Sequence, residues 1–193
     1  WMRFRLLGMG VRPINNIVDI TNYVMLEMGQ PLHAFDRQHI SGNMIRVARA
    51  PAGQEFITLD EQKRILSEND LLIWDAEKPV ALAGVMGGVN SEITSSSRDL
   101  ILESAVFDPS SVRKTGRRLG LSSESLYRFE RGVDQPGSAF ALDRAAQLIH
   151  SLADGRVLRS QVRSEPRPWQ AVSLSFRLLR ARNLLALDVE ESF

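Results

Sequence analysis

The chain has 193 residues, 24 lysines and arginines against 23 aspartates and glutamates, and no cysteine. Its 44% hydrophobic and 24% charged residues can bury a core, and no apolar run reaches the roughly 18 residues of a membrane span or follows the basic start as a signal peptide would. The missing cysteines exclude disulfides, thiolate zinc sites and a cysteine nucleophile and fit a reducing compartment such as the cytoplasm.

The bases are almost all arginine, with only Lys63, Lys78 and Lys114 as lysines. Arginine excess follows from genome composition or from phosphate and carboxylate recognition. The weakly basic total argues against non-specific coating of nucleic acid. The chain starts without methionine and stops inside an apolar-periodic stretch, so it reads as a piece of something larger.

A first segment ends at Gly8 and Gly10. Asn15 or Asn16 then caps a helix whose apolar spacing (Ile14, Ile17, Val18, Thr21, Val24, Met25, Met28) follows the 3.6 period until Gly29 stops it. Gln30 to Asp36 reads as a loop. Strand signals follow at Met44–Ala48, Phe56–Leu59, Arg64–Leu66, Leu71–Trp74, Pro79–Val85 and Leu100–Phe107. Asp60-Glu61 marks a hairpin without the usual turn glycine. This density of strands predicts an α+β fold with an antiparallel, sandwich-like core flanked by helices. Pro109 to Arg118 reads as a helix, and Glu124 to Gly132 is polar and basic. Ser138 to Ala153 is amphipathic, with a stripe of Ala141, Ala145, Leu148, Ile149 and Leu152. A proline-containing linker spans Ser164 to Pro168, and residues 169–193 restart with a short strand and a helical pattern. The organisation is a domain over 1–160, then a linker and the start of a following domain over 161–193.

No phosphate-binding glycine loop with lysine, no paired-histidine metal motif and no serine elbow occurs, so no metal site is expected. His33, His39 and His150 are too scattered for one. Glu103 stands out. Alternation along Leu100–Phe107 puts it on one face with Ile101, Ala105 and Phe107. A carboxylate among apolar neighbours is costly unless it is paired with an arginine or used for recognition or acid–base chemistry. Gly84-Val85-Met86-Gly87-Gly88 is a bulged strand end or a place where a ligand approaches the backbone. His33 is a packed or surface loop group or a catalyst. Thr21 is a satisfied core hydroxyl or part of a site. The segment from Arg117 to Asp134 suits RNA or an interface, or else forms an Arg–Glu network.

Arg12-Pro13-Ile14-Asn15-Asn16, Asp19 to Met25, Gly29 to Asp36, Ala81 to Gly88, Leu102 to Ala105, and Arg117 to Leu121 with Arg128 to Asp134 occur in this order. Together they closely resemble the β subunit of bacterial phenylalanyl-tRNA synthetase over roughly residues 1 to 155. The resemblance implies the central B3/B4 editing domain of that subunit, with a β-sandwich of unusual topology. It implies hydrolysis of tyrosine wrongly attached to tRNA(Phe). Glu103 would receive the tyrosine hydroxyl, Gly84 would shape the ring pocket and offer an amide, and His33 and Thr21 would lie near the ester as the catalytic pair. Ala105, Ser123 and Ser125 would line the pocket, with Gly87 a further candidate. Leu126 replaces a usually small residue and is expected to alter the pocket rim. The resemblance implies no cofactor for this segment, with ATP and magnesium serving the parent enzyme. It also implies an α-subunit partner in an assembly of two α and two β, and no membrane. The rival reading is a non-catalytic scaffold that binds tRNA or the partner subunit.

Overall fold

The computed structural model describes every residue except 160, 167, 189 and 191–193. Residues Trp1–Gln161 form one compact unit and Val162–Phe193 a second. In the first unit the helices are α1 (Met2–Gly8), α2 (Asn16–Met28), α3 (Pro109–Leu119), α4 (Glu124–Phe129) and α5 (Gly137–Leu152). The strands are β1 (Leu32–Asp36), β2 (Arg46–Arg49), β3 (Glu55–Ile57), β4 (Lys63–Ile65), β5 (Leu71–Trp74), β6 (Pro79–Leu82), β7 (Met86–Gly87) and β8 (Leu100–Ser104). The second unit carries α6 (Leu178–Leu185), with no buried residue. The strand expected just after Trp169 is not formed among the described residues.

All strand pairs are antiparallel. A four-stranded sheet runs β2-β5-β6-β7, and β1-β8 and β3-β4 are two-stranded ribbons. The α+β class expected above is the one observed. Helix α2 starts where the Asn15 side chain accepts from the Val18 N–H, and it stops at Gly29 with φ 75°. Such a cap contributes about 1 kcal/mol. Asp108 caps α3 in the same way, and Gly120 at φ 64° ends it. Helix α5 buries Ala141, Ala145 and Leu148, while Leu152, expected on the same stripe, is exposed. In the β3–β4 hairpin Glu61 takes φ 61°, the position where glycine is usual.

The stretch Leu32–Asp36, expected as a loop, is a strand. Pro31 and Asp36 are turn-like residues, but the segment between them alternates, and its partner β8 lies far along the chain. This ribbon separates two cores. Ala34 and Leu102 turn to clusters built with α2, α5 and Ile93. Phe35 and Ile101 turn the other way, into the larger cluster of Leu72, Val80, Leu82, Phe107, Val112 and Phe129. Side chains alternate along a strand, so His33 and Glu103 share the face of Phe35 and Ile101.

Candidate functional site

His33 on β1 stands directly opposite Glu103 on β8. Side chains so paired have Cβ atoms about 4.5–5.5 Å apart. Both line a cleft with about 430 Å³ of empty space, part of it open to solvent, on the larger-core side of the ribbon. Its wall also includes Pro31, Gly84, Met86, Gly87, Phe107, Ser125 and Phe129. Phe107 and Phe129 meet edge to face at 5.0 Å. The His33 ring packs at 71° against Phe35, centroids 4.4 Å apart.

The polar atoms here are unusual. Oε2 of Glu103 and Nε2 of His33 are buried and have no hydrogen-bond partner among the described residues. Loss of water pushes the Glu103 carboxyl up to about 7, with no guanidinium among the described residues to oppose it. The arginine pair left open by the sequence is therefore not made. The same loss of water pushes the His33 imidazole down to about 4, so it is neutral at pH 7. A neutral imidazole carries one N–H and one lone pair, and can orient water or accept a proton.

The glycines have distinct duties. Gly84 turns the chain at φ +69°, and a Cβ there would lie 2.8 Å from Phe107 Cδ2 and 3.0 Å from Val112 Cγ2. Its open side is filled by the protein's own aromatic wall. At Gly87 a Cβ would lie 2.7 Å from His33 Cε1, so this glycine makes room for the imidazole.

The remaining candidates divide. Ser125 is on the cleft wall, its hydroxyl directed at Met25 Sδ at 3.8 Å. Sulfur is a weak acceptor. Ser123 is off the wall and caps α4, accepting from Leu126 N–H while its hydroxyl donates to Val85 O at 2.9 Å. That bond ties the Gly84 turn to α4. Thr21 lies inside α2, and its hydroxyl donates to Val18 O at 2.9 Å. Ala105 packs against the larger core, and its carbonyl receives the Gln30 amide. Thr21, Ser123 and Ala105 are not among the residues of the cleft wall. Leu126 is likewise not on the rim. It is buried against Gly116, whose missing side chain leaves it space. The aromatic wall itself was missed, although Phe107 fell on the Glu103 face. The segment after Arg117 forms local ion pairs, Arg128 with Glu124 and Arg131 with Glu130, and Arg131 stacks on Tyr127 at 3.6 Å.

A model of the B3/4 domain matches residues 1–154. The chain belongs to the B3/4 domain family. Phenylalanine–tRNA ligase beta subunits are similar over the whole chain, at 56% identity in Oleidesulfovibrio alaskensis and 53% in Nitratidesulfovibrio vulgaris. The beta subunit of Desulfotalea psychrophila is 60% identical over 157 residues, 80% of the chain and 19% of that protein. The chain spans 24% of the length of the first two relatives. Among the described residues of this B3/4 domain no helix is long and apolar enough to cross a membrane, and no cluster of His, Asp and Glu could hold a metal ion.

The buried carboxyl sets a pH dependence of stability. Glu103 ionises near 4.5 when unfolded and near 7 in the fold. Between those values the folded state holds the extra proton, so stability falls as pH rises through that window. The shift corresponds to about 1–3 kcal/mol, allowing for the part of the side chain open to the cleft. His33 acts oppositely, giving up stability as pH falls from 6.5 toward 4. Glu103→Gln keeps His33 and removes only the first effect. Denaturant unfolding should show the variant gaining about 1–3 kcal/mol on the parent between pH 5 and pH 8. A gap independent of pH would contradict the burial of this carboxyl.

Proposed function

We propose that this B3/4 domain is the proofreading module of a phenylalanine–tRNA ligase and hydrolyses tyrosine from mischarged tRNA(Phe). One observation carries the reading: an unpaired, desolvated carboxylate on the wall of an aromatic-lined cleft. The relatives' names supply the setting, a tRNA ligase for phenylalanine.

A phenylalanine pocket excludes an isostere with one added hydroxyl by only about a hundredfold. A second site can reverse the test. The tyrosyl ring lies toward Phe107 and Phe129, and its phenol donates to Glu103. Phenylalanine in the same place leaves the carboxylate unpaired, which costs roughly 1–3 kcal/mol. A water molecule attacks the ester carbonyl, the bond to the ribose oxygen breaks, and the water's proton ends on that oxygen. Neutral His33 orients the water with its lone pair. The backbone around Gly84 to Gly88 faces the oxyanion. The tRNA and the ligase's α subunit are the partners. The hydrolysis itself needs neither ATP nor magnesium, which serve amino-acid activation elsewhere in the assembly.

The test is to give the ligase tRNA(Phe) charged with tyrosine and, separately, with phenylalanine. Release of tyrosine well above the spontaneous rate, with phenylalanine retained, is the expected result. Equal or spontaneous rates for both would leave the scaffold reading.

A further inference from the structure

Gln30, at the junction of α2 and β1, is not on the cleft wall and takes no part in the chemistry above. Only 3% of it is exposed. Its Nε2 donates to Pro31 O at 3.0 Å and to Ala105 O at 2.8 Å. Its Oε1 is buried with no partner among the described residues.

The register explains the arrangement. The β1–β8 ladder ends at Leu32 opposite Ser104. Continued by one residue, it sets Pro31 opposite Ala105. Proline has no N–H, so the backbone of β1 has nothing to offer the Ala105 carbonyl. The amide of the preceding side chain makes that bond instead. Pro31 is two residues before His33, and Ala105 two residues after Glu103. The bond therefore closes the ribbon at the end beside the paired site residues.

We infer that Gln30 is a positioning residue whose side-chain amide replaces the ladder bond Pro31 cannot make, holding His33 and Glu103 at a fixed separation. The unpaired Oε1 fits this role. A buried acceptor without a partner is a cost, and methionine would fill the same space without it. The donor half of the amide is what the fold uses. The consequence for hydrolysis rests on the proofreading reading, whereas the clamp on the ribbon does not.

The test compares Gln30→Met and Gln30→Glu in the intact ligase. Met keeps the length and loses the donor. A buried Glu stays protonated at low pH and donates once. Two readouts are taken: amide hydrogen exchange over residues 32–34 and 102–105, and hydrolysis of tyrosyl-tRNA. The Met variant should exchange about tenfold faster there and lose about ten- to a hundredfold in kcat, with KM for the charged tRNA within about twofold. Glu should fall between Met and the parent near pH 6 and approach Met as pH rises. Parent-like exchange in the Met variant overturns the clamp. Faster exchange with unchanged kcat overturns the positioning role. If Met fails to fold, the Glu series decides, and a ratio to the parent that does not change with pH overturns the proposal. Failure of the parent to hydrolyse tyrosyl-tRNA overturns the proofreading reading alone, and the exchange data still judge the clamp.

Discussion

On the proofreading proposal, replacing Glu103 with alanine should lower the preference for tyrosyl over phenylalanyl ester by about five- to 150-fold. On that proposal both esters bring the same ring to Phe107 and Phe129, so the ring contributes nothing to the choice. On the same proposal only tyrosine gives a hydrogen bond to Oε2 of Glu103, which has no partner among the described residues. Alanine removes the group that distinguishes them, and the ratio of hydrolysis rates should approach one. Glutamine keeps an acceptor of the same reach but loses the charge, so it should retain part of the preference. The check is kcat/KM for both mischarged and correctly charged tRNA across the three proteins. If alanine leaves the ratio unaltered, recognition lies elsewhere.

Replacing His33 with alanine should slow hydrolysis of tyrosyl-tRNA by about a hundred- to ten-thousandfold, the usual contribution of a positioned acid–base group. The imidazole is neutral near pH 7 because burial holds it down at about 4. Its Nε2 is buried without a partner among the described residues, and His33 lines the same cleft as Glu103. The loss should fall mainly on single-turnover rate, since His33 makes none of the contacts that select the phenol. Tyrosine selectivity should therefore survive in the slow variant. A near-normal rate would show that the substrate's own ribose hydroxyl or backbone amides suffice. The two variants thus separate choosing from cleaving.

Much of the local structure was legible. The cap at Asn15 and the stop at Gly29 bound α2 as expected, and Leu71–Trp74 is the strand its run of apolar residues implied. The strand at Leu32–Asp36 was not legible because its cause is non-local. The five residues that follow Pro31 and end at Asp36 carry loop punctuation, and only pairing with a segment near residue 102 makes them a strand. For the same reason the opposition of His33 and Glu103 could not be read from periodicity. Alternation did isolate Glu103 as a carboxylate on an apolar face, but it could not decide between an arginine partner and a cleft. Packing decided, and among the described residues no arginine pairs with it. Gly84 shows the converse. Its positive φ was foreseeable from a glycine-rich turn, whereas the contact of its open side with Phe107 and Val112 depended on residues brought in by β8 and α3. Leu126 also needed the fold, since the space it occupies is left by Gly116, ten residues earlier on the neighbouring helix.

The most direct measurement is a crystal structure of the ligase grown with L-tyrosine. The phenolic oxygen should lie within about 2.5–3.0 Å of the Glu103 carboxylate, with the ring toward Phe107 and Phe129. Tyrosine bound with its phenol turned away from Glu103, or phenylalanine occupying the same cleft equally well, would contradict it.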